Sequence, residues 1–324
     1  MKKLLALLLA VMMIVSFAAC GSKDDDKQNE VVVNTTILKE ADDKMLNTYS
    51  VIAVNPEAPF EDADKNPVTD VIINTAGAEA LYQWLVSKEA LDMAGKYGVE
   101  EYGSNLFYVK EDAPVYEGEI AQATEETKAI RLSTTTSVKD SGLLGKLLPE
   151  FENKYGYKVE VYSAGTGKSI ANAKMGNADI ILVHSKSQEE AFINAGFAKV
   201  VNGFTAERTS FIYNYYVLCG PSEDPAGVKN AATVTDAFKL IADGKHKFIS
   251  RGDASGTHTK EISLWPAELG ITADAASFAN YTEWYTSANT GMGACLVMAE
   301  ESDAYILTDK ATFLTFVSKD GVMN

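Results

Sequence analysis

From about residue 130 to the end of the chain, short apolar runs alternate with amphipathic ones, and this alternation narrows the fold more than any other feature. "AIRL", "KVEVYSA", "DIILVHS", "KFIS" and "AYILT" read as strands. Between them, "GLLGKLLPEFENKY" carries Leu143, Leu144, Leu147, Leu148, Phe151 and Tyr155 on one helical stripe. "GKSIANAKMG", residues 233–242, a stretch from Ser255 and another from about Gly291 also read as helices. Strands alternating with helices imply an α/β fold with parallel sheets. In open sheets of this kind, ligands bind beyond the carboxyl ends of the strands, where helix N termini point. "SFIYNYYVLCG" (210–220) is long enough to cross between two sheets, and the chain length suits about two domains.

The front of the chain is organised differently. Residues 1–20, MKKLLALLLAVMMIVSFAAC, pair a Lys-Lys start with an apolar stretch and small residues before Cys20, the pattern of a lipoprotein signal peptide. Cys20 is then the lipidated residue and 21–30 a polar tether, which implies an extracytoplasmic, membrane-anchored protein. "VVVNTTIL" (31–38) and "SVIAVN" (50–55) read as strands, and two helices follow from about Val68. Residues 110–129 are acidic and poor in large apolar side chains, as a linker would be. A net charge of −16 argues against nucleic acid as a partner but not against an anion held in a locally positive site. Cys219 and Cys295 sit in apolar runs as buried thiols, though a disulfide is compatible with the compartment. His184, His246 and His258 show no metal-ligand spacing, and no cofactor motif is present.

Three strand-to-helix junctions share one chemistry: "STTTSVKDSG" (133–142), "SAGTGKS" (163–169) and "SRGDASGTH" (250–258). Each offers hydroxyls, small residues and free N–H groups at a helix start, where the first backbone donors lack partners and the dipole adds positive character. Any one of them taken alone reads first as a simple N-cap. Together they read as an anion site built largely from neutral donors, with Arg251 adding a fixed charge and a planar set of N–H groups. Two cheaper motifs fail. "AGTGKS" would place the first P-loop glycine at Tyr162, leaving Lys168 as a solvent-facing helix residue. "RGD" at 251–253 ends an apolar strand instead of topping a loop. No Ser, His and carboxylate are tied together as a catalytic set.

"TTTSVKDSGLL", "SRGDASGTHTKE", "WYTSANTGMGA" and "YILTDKATFL" together resemble the tungstate-binding proteins of ABC importers, whose relatives bind molybdate, sulfate and phosphate. The matches run in order from about Ile130 to the C terminus. The resemblance implies a two-lobed, periplasmic-binding-protein-like clamshell, each lobe a mixed, mostly parallel sheet flanked by helices, closing on a tetrahedral oxyanion. It implies ligand contacts from Thr135, Thr136 and Ser137, from Arg251, and from the Ser-Gly-Thr turn of Ser255, Gly256 and Thr257. Gly165, Thr166 and Gly167 match the neighbouring Gly-Thr-Gly turn. An ABC permease is the implied partner.

One departure from the family pattern is large. Its members continue past "TDKATFL" into a strand and closing helices, whereas here residues 37–57 and 80–109 resemble that missing segment. The chain therefore resembles a circular permutant. On that reading 31–46 is a strand segment of the second lobe and 47–109 the family's C-terminal segment, in the first lobe. The acidic linker 110–129 then joins the old ends, with 130–213 completing the first lobe and 214–324 forming the second. The expected function is capture of tungstate for import, without catalysis. The alternatives are a molybdate, phosphate or sulfate receptor of the same fold, in which Asp253 would accept a phosphate proton. From other classes come an exported enzyme acting on an anion and an adhesion lipoprotein.

Overall fold

Residues 33–318 are described in a computed structural model of the chain, and Cys20 and the leader lie outside them. The front carries β1 (Thr35–Lys39), β2 (Leu46–Val54), α1 (Thr75–Leu85), α2 (Lys88–Lys96), α3 (Val99–Tyr102) and β3 (Tyr108–Val109). Next come β4 (Ala129–Thr135), α4 (Thr136–Asp140), α5 (Leu143–Tyr155), β5 (Lys158–Ala164), α6 (Thr166–Lys174), β6 (Ile180–Val183), α7 (Lys186–Asn194) and β7 (Ala198–Lys199). The long β8 (Arg208–Pro221) leads into α8 (Val234–Asp243), β9 (Phe248–Ser250) and α9 (Gly256–Leu264). The chain closes with β10 (Tyr285–Ser287), α10 (Met292–Ser302), β11 (Tyr305–Asp309) and α11 (Lys310–Ser318).

The strands form one hydrogen-bonded path, β10-β9-β11-β8-β2-β6-β4-β5, with β1 and β3 on β8 and β7 on β2. The two outer runs are parallel: β5 with β4 and β4 with β6 at one end, β10 with β9 and β9 with β11 at the other. The middle is antiparallel. β2 pairs with the first half of β8, from Arg208 to Tyr215, while β1 and β11 pair with its second half. β8 therefore belongs to both lobes, and β2 lies beside it where they join. This is an α/β architecture of mixed, mostly parallel sheet with helices packed on its faces.

Buried side chains follow the same division. Leu143, Leu144, Leu147, Leu148 and Phe151 of α5 pack with Trp84, Leu85 and Leu91 of α1 and α2 in the largest core. A second core, around Ile170, Ile181, Val183 and Phe192, fills the other face of that lobe. In the other lobe, one core gathers Phe238, Phe248, Trp265 and Tyr305. Another gathers Cys219, Cys295, Leu296 and Phe316, with both thiols free and buried. Val33 and Val317, near the two ends of the described chain, both pack on this last core.

Local sequence explains most boundaries and three departures from the expected ones. The helix expected from about Val68 begins only at Thr75, because Asp70 sits at a left-handed φ of 62° and Asn74 caps Gly77 N at 2.9 Å. The alternation read from sequence also lacks α7 and α11. In α11, Ala311 faces the core of one lobe while Phe313 and Phe316 face that of the other, so no polar face marks its period. Residues 110–129 are not a free coil. Tyr116 N donates to Val86 O at 2.9 Å and Ala123 N to Tyr155 O at 2.8 Å, and the Tyr116 ring stacks on Phe204 at 5.9 Å. Among the described residues no helix is long and apolar enough to cross a membrane.

Asp179 ties the first lobe together. It is fully buried and accepts from the backbone N–H groups of Asn74 (2.9 Å) and Arg131 (2.7 Å), and from the Arg131 guanidinium at 2.6 Å. Asn74 Nδ2 in turn donates to Ala129 O at 2.7 Å, so the start of α1, the start of β4 and the approach to β6 meet on one carboxylate. Removing one partner of such a buried pair costs roughly 3–5 kcal/mol. Asp179→Ala should therefore lower the urea-unfolding free energy by about 3 kcal/mol, whereas the exposed pair partner Lys88→Ala should change it by less than about 1 kcal/mol.

Candidate functional site

The three hydroxyl-rich turns converge where the lobes face each other, but their hydroxyls divide into spent and unspent. Ser133 Oγ donates to Ser169 O at 3.0 Å and Thr134 Oγ1 to Leu182 O at 2.7 Å, which fastens β4 to its neighbours. Ser133 and Thr134, the first two of five consecutive hydroxyl residues, are thus structural. Thr135 caps α4 by accepting from Val138 N at 3.4 Å, and its hydroxyl lies 3.1 Å from Ser137 Oγ. Both are buried, with Thr136 between them half-exposed. At the second turn Gly165 starts α6 with no side-chain cap, and the hydroxyl of Thr166 is fully buried without a partner. Gly167 stands beside Gln188, and Lys168 is exposed.

The third turn holds the charge. Arg251 is 4% exposed, which removes the adhesion reading of its tripeptide. Its Nη2 donates to Asp253 Oδ2, while its Nε is buried without any partner. Asp253 Oδ1 accepts from Ser255 N at 3.1 Å, and Ser255 Oγ caps His258 N at 3.2 Å. Gly252 is required here. Its φ is +63°, and a Cβ would lie 2.0 Å from Ser287 Oγ. Thr257 is buried in the first turn of α9, on the side of Tyr216 of β8.

Behind Ser137 runs a polar network that sequence reasoning missed. His184, at the end of β6, has Nε2 3.1 Å from Ser137 Oγ and Nδ1 2.8 Å from Asn47 Oδ1 and 3.2 Å from Tyr216 Oη. Asn47 Nδ2 reaches Tyr49 Oη at 2.8 Å and Asn214 Oδ1 at 2.9 Å. The Tyr49 ring lies 4.9 Å from the imidazole. Burial first, and the Arg251 charge second, push the pKa of His184 down to about 3, so the ring is neutral. Asp309, at the end of β11, is also buried. Burial raises its pKa, although Thr312 donates to it twice and Arg251 draws it down. The signal for His184 was its place at the carboxyl end of a buried strand, where ligands of open α/β sheets bind.

Small residues let the lobes meet. A Cβ on Gly165 would come 3.5 Å from Ser255 Cα, and one on Gly256 would come 2.6 Å from His184 Cε1. Beside this contact, a cavity of about 630 Å³ is lined by Asn47, His184, Tyr216 and Gly256 and rimmed by Lys186 and Lys260. Buried donors without partners, opposed turns and one guanidinium suit a compact anion stripped of water. Among the described residues no cluster of His, Cys, Asp or Glu is placed to hold a metal ion.

Residues 121–324 match the family described as the PBP superfamily domain. The chain belongs to the PBP superfamily. Within it, the chain is similar to the tungstate-binding protein TupA of Peptoclostridium acidaminophilum, at 43% identity over 208 residues, 64% of this chain and 67% of that protein. It is also 40% identical over 188 residues to a putative ABC transporter anion-binding protein of Haloferax volcanii, covering 58% of this chain and about half, 51%, of that one. Among solved structures, that of the tungstate ABC transporter from Geobacter sulfurreducens is 40% identical, covering 58% of this chain and 75% of that chain, with a TM-score of 0.48.

The contact at Gly256 gives a direct test of lobe closure in this superfamily member. An added methyl group at 2.6 Å from the His184 ring must push α9 away, and such overpacking costs roughly 1–3 kcal/mol. Gly256→Ala should weaken binding of any oxyanion held between the lobes by about ten- to a hundredfold, measured by calorimetry, while thermal unfolding of the ligand-free protein shifts little.

Proposed function

We propose that this chain is the extracytoplasmic, lipid-anchored substrate-binding protein of an ABC importer and that it holds tungstate between its lobes. The observation that carries this reading is the buried guanidinium of Arg251, whose Nε–H has no partner in the protein. A buried charged donor left unpaired is costly, and a dianion supplies the missing acceptor. The equally unpaired hydroxyl of Thr166 supports a second contact from the opposite lobe. Thr135, Thr136, Ser137, Ser255, Gly256, Thr257 and the turn Gly165–Gly167 complete the proposed ligand set. Charge-assisted hydrogen bonds contribute roughly 1.5–3 kcal/mol each, enough in number to offset desolvation of the anion.

The choice among oxyanions rests on Asp253 and on the relatives. Each Asp253 oxygen already accepts one hydrogen bond, one from Arg251 and one from Ser255 N, which leaves the carboxylate fewer lone pairs for a phosphate proton. That favours a fully ionised anion. Tungstate is preferred to molybdate and sulfate because tungstate is what the similar Peptoclostridium protein is named for. Anchoring through Cys20 and delivery to a permease belong to the same proposal.

The order of the chain supports a circular permutation as part of this reading. The superfamily match starts at residue 121, while α1 and α2 pack into the core of the lobe that contains β4 to β6. The described ends, Val33 and Val317, share one core, as new termini opened in a continuous fold would. The proposed division places 31–46 with the second lobe, 47–109 and 130–213 in the first, and 214–324 in the second.

Calorimetric titration with tungstate, molybdate, sulfate and phosphate tests the proposal. Tight tungstate binding with weak or absent phosphate binding is the expected result. Arg251→Ala should raise Kd at least a hundredfold, a loss of about 3 kcal/mol, because it removes the charged partner of a buried anion. Unchanged affinity in that variant overturns the site, and phosphate preference overturns the choice of ligand.

A further inference from the structure

The hydrogen bonds behind Ser137 fix where the protons sit. Asn47 spends its Nδ2 on Tyr49 Oη and Asn214 Oδ1, so its Oδ1 is the atom turned toward His184. A carbonyl oxygen only accepts, so at 2.8 Å His184 Nδ1 carries the hydrogen. The neutral ring then has a bare lone pair at Nε2, and Ser137, 3.1 Å away, donates its hydroxyl hydrogen there. In this state Ser137 offers an anion only lone pairs. A fully ionised oxyanion needs the hydrogen instead. Once Ser137 turns it toward the anion, His184 Nε2 faces a serine oxygen with no hydrogen between them. The ring is walled by Tyr49 and by Gly256, so relaxation by moving away is blocked.

We infer that a fully ionised oxyanion bound at Ser137 draws one proton from solvent onto His184 Nε2, leaving an imidazolium that donates to the serine while the serine donates to the anion. The inference rests on the proposed oxyanion site. The groups facing the ring explain why the proton arrives only with the anion. Arg251 faces it from the turn before α9, and the phenols of Tyr49 and Tyr216 face it from β2 and β8. Asp309 acts on both phenols from β11. Lys110, Lys186, Arg208, Lys260 and Glu190 line the adjoining cavity, whose exposed rim gives a proton its path to the ring. These mostly positive surroundings and burial keep the empty site's ring neutral, and a dianion beside Arg251 reverses the local field. Asn47 Oδ1 stays bonded to Nδ1–H throughout, so no amide has to turn.

The sign of the pH effect follows. Binding raises the pKa of His184 from about 3, so the complex holds one proton more than its parts, and affinity falls as pH rises. The fall is about tenfold per pH unit between about pH 3 and the pKa that His184 takes in the complex, and it levels off above that pKa. Calorimetry of the full chain with micromolar tungstate at pH 6.5, in buffers of different ionisation enthalpy, should show uptake approaching one proton per anion. His184→Asn should abolish the uptake and flatten the pH dependence. Spectra of 15N-labelled imidazole should show both His184 nitrogens protonated in the complex and one in the free protein, which decides the matter should the variant fail to fold. Tungstate binding with identical proton counts of zero in every buffer overturns this inference and leaves the proposed function standing. Uptake that survives in His184→Asn also overturns it, and assigns the proton to another buried group such as Glu261, whose pKa burial raises to about 7. Absence of tungstate binding overturns both.

Discussion

A guanidinium buried in a cleft with one N–H left over is the constraint on which the rest of this protein turns. Arg251 stands at the end of β9, the strand between β10 and β11, and is 4% exposed. Asp253 balances part of its charge through Nη2, but the rigid planar fork leaves Nε aimed elsewhere. Such a group calls for a further acceptor to complete it. The surroundings are built to hold that geometry. Gly252 takes a left-handed backbone against Ser287, Ser255 N fixes the other oxygen of Asp253, and the Ser255 hydroxyl caps α9. The turn is thus held by its own hydrogen bonds and backbone geometry.

The opposite lobe supplies neutral donors, and the allocation of hydrogen bonds decides which are available. Ser133 and Thr134 are consumed in fastening β4. Thr135 is half-consumed as a cap, and Thr166 is not consumed at all. Ser137 is committed to His184, which is committed through Asn47 to β2 and through Tyr216 to β8. These are the strands that run between the lobes. A change at Ser137 therefore reaches the strands that join the lobes through a few short hydrogen bonds and no long chain of packing.

Much of this was legible in the sequence. The parallel runs of β4 to β6 and β9 to β11 follow from apolar strands spaced by helical stripes, such as that of Leu143 to Phe151. Arg251 and the hydroxyl turns were legible because strand-to-helix junctions carry a local signature. α11 was not, since it is covered on both faces and its sequence lacks a polar stripe. Nor was the start of α1, where a left-handed Asp70 holds the chain out of the helix. The linker 110–129 looked free because its few apolar side chains, Tyr116 among them, find partners only in the folded lobe.

The sequence by itself determined the class of fold, the three donor turns and the single buried cation among them, because periodicity and capping chemistry act over a few residues. Only the tertiary structure decided which hydroxyls remain unspent and that His184 belongs to the site. It also decided that both oxygens of Asp253 accept hydrogen bonds within its own turn. Those outcomes depend on groups such as Asn47 and His184, 137 residues apart in the chain, meeting where the lobes join. There each hydrogen bond that one partner takes is denied to every other.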